Sequence, residues 1–142
     1  MSKGRILAID YGEKIFGLAI SDEEWKFSFP LKNYRRKSNE EDILFLKNLI
    51  MERNIVKIIF GNPLNSKREE SKMSKRVREF AKKLAVNIRV EIGFYDETFT
   101  TKEAELILRE YGFKEKKMKG KKDSIAASFI LSSYLETINE SN

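Results

Sequence analysis

The sequence contains no cysteine and no histidine among its 142 residues. Their absence excludes disulfides, thiol nucleophiles, imidazole acid–base catalysis and zinc sites built on Cys or His ligands. The chemistry that remains uses carboxylates, lysine or tyrosine, or a metal held by oxygen ligands, and oxygen ligands favour Mg²⁺ or Mn²⁺. We therefore expect any catalytic metal site in this chain to be built on aspartate and glutamate.

Long apolar runs are missing as well. Apolar runs such as residues 58–60 fall far short of the roughly 20 residues that cross a bilayer. Residues 1–5 lack the apolar segment and cleavage site of a signal peptide. These absences predict a cytoplasmic protein that does not contact a membrane. The length of 142 residues and the 41% apolar content predict one domain over residues 1–142.

Positive charge is in excess, with 28 Lys and Arg against 22 Asp and Glu and a net charge of +6. This balance favours an anionic partner such as nucleic acid, because clustered cations release counterions from a phosphate backbone. The alternative is a basic, solvated surface without a dedicated partner. The densest cluster is a lysine-rich segment before the last predicted helix, formed by Lys114, Lys116, Lys117, Lys119, Lys121 and Lys122.

Hydrophobic periodicity predicts an α/β protein with a mixed sheet. Apolar runs and period-two alternation predict strands at 5–10, 15–21, 27–34, 56–60 and 88–95. Pro30 places the third of these at an edge or a bulge. Capping patterns and helical spacing predict helices at 38–53, around 77–84, at 100–111 and at 122–135. The first strands form a hairpin, and right-handed crossovers then add parallel strands.

Acidic residues follow several predicted strands. Asp10 ends the first strand, residues 61–65 follow the fourth, and Asp96 and Glu97 close the fifth. Ligands gather at the carboxyl ends of parallel strands, so we expect these segments to meet at one edge of the sheet. Asp42, in contrast, lies among glutamates and is expected on a solvated helix face.

Each of these acids also has a purely structural interpretation. Asp10 and the Asp96–Glu97 pair could cap turns, and Asp123 at a helix start is favoured by the helix dipole alone. Neighbouring strand residues point to opposite faces, so only one of Asp96 and Glu97 should reach a shared site. Asp96 falls on the face of this strand that is predicted to be buried, which favours Asp96 as the residue that reaches the site.

Four motifs, in this order and spacing, resemble the YqgF (RuvX) family along nearly the whole chain. They are Asp10-x-Gly12 with residues 17–22, then residues 61–65, residues 96–101 and residues 122–127. Members are ribonuclease-H-like proteins related to Holliday junction resolvases and described as pre-16S ribosomal RNA nucleases. The resemblance implies a three-layer fold: a five-stranded mixed sheet of order 3-2-1-4-5, strand 2 antiparallel, with helices on both faces.

By this resemblance, Asp10, Glu97 and Asp123 are the catalytic set that binds Mg²⁺ or Mn²⁺, with Asp96 as the alternative at the second position. Two residues depart from the family pattern. Thr98 stands where the family usually has arginine, and Asn62 where it usually has leucine. The predicted nucleic-acid contacts are Lys14, Asn65, Arg68, Lys116, Lys117, Lys119, Lys121 and Lys122.

The function implied by the resemblance is a metal-dependent endonuclease acting on structured RNA, in 5′-end maturation of pre-16S rRNA during ribosome biogenesis. Branched DNA is the alternative substrate, and the ribosome is a further candidate partner. A non-catalytic nucleic-acid-binding or ribosome-assembly factor on the same fold is the main competing hypothesis. An actin-type phosphotransferase also begins with Asp-x-Gly, but the chain is too short for its two domains.

Overall fold

The structure is a computed structural model that describes residues 3–63, 71–97 and 122–140. The strands in these ranges are β1 (Arg5–Asp10), β2 (Ile15–Ser21), β3 (Ser28–Pro30), β4 (Tyr34–Arg35), β5 (Ile55–Pro63) and β6 (Glu91–Glu97). The helices are α1 (Asn39–Arg53), α2 (Lys72–Asn87) and α3 (Lys122–Glu140). Within these ranges no helix combines the length and apolar character needed to cross a bilayer.

The strands form one mixed sheet in the order β3-β2-β1-β5-β6, and β4 pairs with β2 off this path. β2 is antiparallel to β1, whereas β5 and β6 extend the sheet in parallel. The predicted α/β fold and strand order are therefore confirmed. The predicted third strand at 27–34 is divided, because the chain pairs with β2 first as β3 and again as β4. Pro30 lies in β3, at the outer edge, as predicted.

Helix α1 begins at the polar cap that the sequence indicated. Ser38 accepts a hydrogen bond from the backbone N–H of Glu41 at 3.1 Å, which satisfies a free donor of the first turn of α1. Asn54 ends α1 in a left-handed conformation with φ of 53°. The predicted helix at 100–111 lies outside the described residues, and α3 continues past its predicted end to Glu140.

Both faces of the sheet are buried, each under a different helix layer. One face places Leu7, Ile9, Phe16 and Phe60 in a core with residues of α1 and α2. The other face packs Ile6, Ala8, Ala19 and Ile59 against α3. Strand alternation therefore assigns every residue of the central strands to either the α1–α2 side or the α3 side.

Candidate active site at the carboxyl edge of the sheet

Asp10 is the last residue of β1 and lies opposite Gly17 of β2. Every second residue of a strand points to the same face, so Asp10 lies on the same side of the sheet as Ile6 and Ala8, which pack against α3. Burial, together with the negative charge of Asp123, raises the pKa of Asp10 from 3.8 to about 7. Near neutral pH this carboxyl group is therefore poised to bind either a proton or a cation.

Asp123 is brought to Asp10 by the close packing of α3 on β2. A Cβ atom on Gly17 would overlap the backbone carbonyl oxygen of Asp123, so glycine is what lets the helix approach. Ser124 strengthens the contact, because its hydroxyl accepts from the backbone N–H of Leu18 at 3.5 Å and donates to the side-chain oxygen of Asn33. The start of α3 is thus fixed to the strand beside Asp10.

The ends of β5 and β6 complete this edge. Asn62 pairs with Asp96 across the strands, and its side-chain amide donates to the Asp96 carboxylate at 2.7 Å. Asn62 is 3% exposed, and its own carbonyl oxygen has no hydrogen-bond partner among the described residues. Asn62 and Asp96 lie two residues after Phe60 and Phe94, respectively, and therefore on the same face as these rings. This is the α1–α2 side of the sheet, opposite Asp10.

Glu97 is the last residue of β6 and pairs with Pro63. Its position is two residues after Tyr95 and therefore on the same side of the strand. Tyr95 is partly buried and packs against the core on the α3 side. The choice of Asp96 assumed that only one face of this strand is buried. Helices cover both faces of the sheet, so burial alone does not favour Asp96 over Glu97. Asp10, residues 61–63 and residues 96–97 lie side by side at one edge, as predicted. Residues 61–63 continue β5 rather than forming the predicted turn at 61–65, and residues 64–65 lie outside the described residues.

Of the predicted carboxylates, the structure brings Asp10 and Asp123 together. Among the described side chains, no group of three or more acidic residues forms a cluster that could hold a metal ion. Lys14 is exposed in the turn after β1, and Lys122 is the first residue of α3. The other predicted nucleic-acid contacts lie outside the described residues: Asn65, Arg68, Lys116, Lys117, Lys119 and Lys121.

The prediction that Asp42 lies on a solvated helix face is wrong, since the residue is fully buried. Its carboxylate accepts hydrogen bonds from the hydroxyl of Tyr34 at 2.9 Å and from the backbone N–H of Lys37 at 3.0 Å. It also forms an ion pair with Arg36, with Nε and Oδ2 2.9 Å apart. These partners compensate the cost of removing the charge from water.

Arg36 connects this buried carboxylate to the turn after Asp10. Its guanidinium donates to the backbone carbonyl of Gly12 at 3.2 Å and lies 4.7 Å from the ring centres of both Tyr11 and Phe16. Its backbone N–H donates to the carbonyl of Lys14 at 2.8 Å. Sequence reasoning missed this residue; the available signal was an arginine and a tyrosine shortly before an aspartate in a capped helix.

Comparison with known proteins agrees with this architecture. The family model described as RuvX: Holliday junction resolvase matches residues 4–137. A protein of Syntrophus aciditrophicus named "Putative pre-16S rRNA nuclease" is 38% identical over 136 residues, covering 96% of this chain and 91% of that protein. A protein of the same name from Dictyoglomus turgidum is 37% identical, covering 95% of this chain and 96% of its own.

Solved structures share the fold at much lower identity. T. thermophilus RuvC in complex with a Holliday junction substrate matches with a TM-score of 0.60 and 15% identity, covering 96% of each chain. A fowlpox virus resolvase in complex with Holliday junction DNA matches with a TM-score of 0.58 and 19% identity, over 94% of this chain and 98% of its own. Since the family model covers nearly the whole chain and its relatives align almost end to end, this protein belongs to the RuvX family.

Proposed function

We propose that this protein is a metal-dependent endonuclease that hydrolyses phosphodiester bonds of structured nucleic acid. The observation that carries the proposal is the pairing of Asp10 with Asp123 at the carboxyl edge of the sheet, where burial and the Asp123 charge raise the pKa of Asp10 to about 7. A carboxylate that is costly to ionise near neutral pH is typical of catalytic sites and of metal sites.

The chemistry of these donors fits a divalent cation. Two neighbouring carboxylates repel each other, and a hard cation such as Mg²⁺ or Mn²⁺ relieves that repulsion by binding their oxygens. Asp10 and Asp123 would hold the ion. Glu97 is the proposed third ligand, because it lies two residues after Tyr95 and so on the side of the sheet that faces α3. When bound, the metal would lower the pKa of a water molecule and stabilise the charge that develops at the phosphate.

Asp96 is proposed to support the site rather than to bind metal. Its carboxylate already accepts from the Asn62 amide on the opposite side of the sheet. The hydrogen bond ties the ends of β5 and β6 together at the residue before Glu97. Asn62 would therefore help to hold the end of β6, where Glu97 lies.

The fixed backbone around Asp10 supports catalysis by limiting motion of the site. Arg36 holds the Gly12 carbonyl on one side of the turn, and Gly17 brings α3 close on the other. Lys14 is exposed in the same turn and would contact a phosphate group of the substrate. Carboxylates held in advance need no reorganisation when a charged substrate binds.

The proposed substrate is a ribosomal RNA precursor, in the maturation of the 16S 5′ end. This assignment rests on the two relatives described above, which are 38% and 37% identical and carry the name "Putative pre-16S rRNA nuclease". The resolvases that share the fold suggest branched DNA as the substrate variant.

The test is cleavage of end-labelled substrates with Mg²⁺, with Mn²⁺ and with chelator. The substrates are precursor ribosomal RNA, single-stranded RNA and DNA, and a four-way DNA junction. We expect metal-dependent cuts that Asp10→Asn abolishes while nucleic-acid affinity is retained. Asp22→Asn is the matched control, because this carboxylate accepts from backbone N–H groups in a turn after β2 and is proposed to have no catalytic role.

Cleavage that survives Asp10→Asn would contradict the proposal. Salt-sensitive binding without metal-dependent cleavage of any substrate would instead identify a non-catalytic nucleic-acid-binding or assembly factor.

A further inference from the structure

The outward side of α2 carries a strongly positive surface. Arg78 and Lys82 are exposed four residues apart, and Lys75 lies one turn earlier on the same stripe. Lys82 and Lys75 form no ion pair with a described carboxylate. The exposed basic residues of the helix are Lys72, Lys75, Arg76, Arg78, Lys82 and Lys83, against the single acid Glu79.

This stripe borders a groove between α2 and β6, the outer strand of the described sheet. The groove has a volume of about 360 Å³. Ala81 and Ala85 leave room on the helix side, while Ile92 and Phe94 form the strand side. Arg78 and Lys82 stand at its border. The groove thus combines an apolar surface with positive charge.

Phe94 is the prominent residue of the groove. It is 43% exposed although it is a large apolar side chain on a strand. Its ring lies 6.0 Å from that of the buried Phe60, at an interplanar angle of 28°. Phe60 therefore packs against one part of the Phe94 ring from the core, and the other part of the ring faces solvent.

An exposed aromatic ring flanked by cations is the arrangement that binds single-stranded nucleic acid. Bases stack on the ring, and Arg or Lys side chains contact the backbone phosphates. A neutral apolar ligand would gain nothing from Arg78 and Lys82. The groove opens on the α1–α2 side of the sheet, opposite Asp10. Phe94 lies three residues before Glu97 at the carboxyl end of β6, or roughly 10 Å along the strand, so a bound strand would reach Asp10 by passing around this edge.

We propose that the groove between α2 and β6 binds an unpaired stretch of the nucleic-acid strand that is cut at the Asp10 site. Phe94 stacks on one base, and Arg78 and Lys82 contact the neighbouring phosphates. The inference rests on the proposed nuclease function and adds a substrate class to it: structured nucleic acid with an unpaired flank next to the cleaved bond. A base inside a duplex is already stacked, so a blunt duplex cannot use the ring.

Binding in chelator tests the groove separately from catalysis. Fluorescence anisotropy would compare a hairpin with an unpaired overhang and the same hairpin with a blunt end, each as RNA and as DNA. We expect Phe94→Ala to weaken overhang binding roughly 5- to 150-fold and to leave blunt-end binding unchanged. Phe94→Tyr keeps the ring and should restore binding, whereas Phe94→Leu keeps only the apolar bulk and should not.

Phe29→Ala is the matched control, because Phe29 is 51% exposed on β3 at the opposite edge of the sheet. The cations have a separate signature. Lys82→Ala should reduce the slope of log affinity against log salt by about 0.7 for the overhang. Lys47→Ala, which removes an exposed lysine of α1, should leave the slope unchanged.

Crosslinking of the wild-type chain tests the groove without requiring any substituted protein to fold. An overhang that carries 5-iodouridine should crosslink to a peptide that contains Phe94. The proposal for the groove would be overturned by equal effects of Phe94→Ala and Phe29→Ala, or by equal losses of affinity for overhang and blunt hairpins. Crosslinks that avoid this peptide would overturn it as well. None of these results affects the nuclease proposal, which depends on cleavage by the wild type and its loss in Asp10→Asn.

Discussion

Replacing Asp10 by asparagine is expected to stabilise the protein while it abolishes cleavage. The physical reason is the raised pKa of Asp10, about 7 in the folded protein against 3.8 for an unperturbed carboxyl group. Between about pH 4 and pH 7 the folded protein keeps a proton that the unfolded chain has released. The stability of the wild type therefore falls as pH rises through this window, and asparagine has no charge to lose.

The size of the effect follows from the same shift. A shift from 3.8 to about 7 corresponds to an upper bound of roughly 4 kcal/mol, at about 1.4 kcal/mol per pKa unit. Asp10 is partly exposed, and water access reduces this value, so we expect about 2–4 kcal/mol at pH above about 7. For a chain of this length that gain raises Tm by on the order of 5–10 °C.

The assay is thermal unfolding of wild type and Asp10→Asn from acid to mildly alkaline pH, in chelator. The two Tm values should coincide near about pH 4, diverge as pH rises, and keep a constant difference above about pH 8. Asp22→Asn serves as control and should show no such gain, because the Asp22 carboxylate accepts from the backbone N–H groups of Lys26 and Phe27 at 2.7 and 2.8 Å.

Magnesium should reduce or cancel the stability advantage of Asp10→Asn. At a concentration about 100 times its Kd, a ligand that binds only the folded state adds about 2.7 kcal/mol, and we expect this gain in the wild type alone. A variant that is no more stable than wild type at alkaline pH in chelator would refute the reasoning, since Asp10 would then carry its charge without cost.

Three further substitutions test other parts of the site. Gly17→Ala should lower stability by more than about 2 kcal/mol and abolish cleavage, because the new methyl group displaces the first turn of α3; chemical denaturation and the cleavage assay measure both effects. Asp42→Ala should cost about 3–5 kcal/mol in urea unfolding, because it leaves the Arg36 charge buried without its partner. Glu97→Gln should reduce kcat at least about 100-fold and weaken the dependence on Mg²⁺, whereas Asp96→Asn should change Tm more than kcat; the opposite pattern would make Asp96 the metal ligand.

Local patterns predicted most of the fold. Alternation and apolar runs located β1 and β2, and the capping serine located the start of α1, because these features depend on neighbours in sequence. The prediction of a continuous strand at 27–34 was wrong in detail. Periodicity cannot report where an edge strand leaves its partner and pairs again, as happens between Pro30 and Tyr34.

The site was predictable in its residue types and less so in its geometry. Asp10 stood out because an acid ended an apolar strand, and its partner Asp123 was identified through the family motif. The burial of Asp42 was not predictable, because it depends on Arg36 and Tyr34 turning inward from a segment outside the helix. Strand alternation could not choose between Asp96 and Glu97. It shows that the two residues lie on opposite faces, but not which face the active site occupies.

The contact between Gly17 and the first turn of α3 bears on how this site can evolve. The separation of the Asp10 and Asp123 carboxylates depends on a layer of residues with little or no side chain, formed by Ala8, Gly17 and Ala19. Longer side chains at these positions would act as spacers and lift the helix from the sheet. Selection for a given metal ion would therefore constrain the smallest residues of the protein as strongly as the acids themselves.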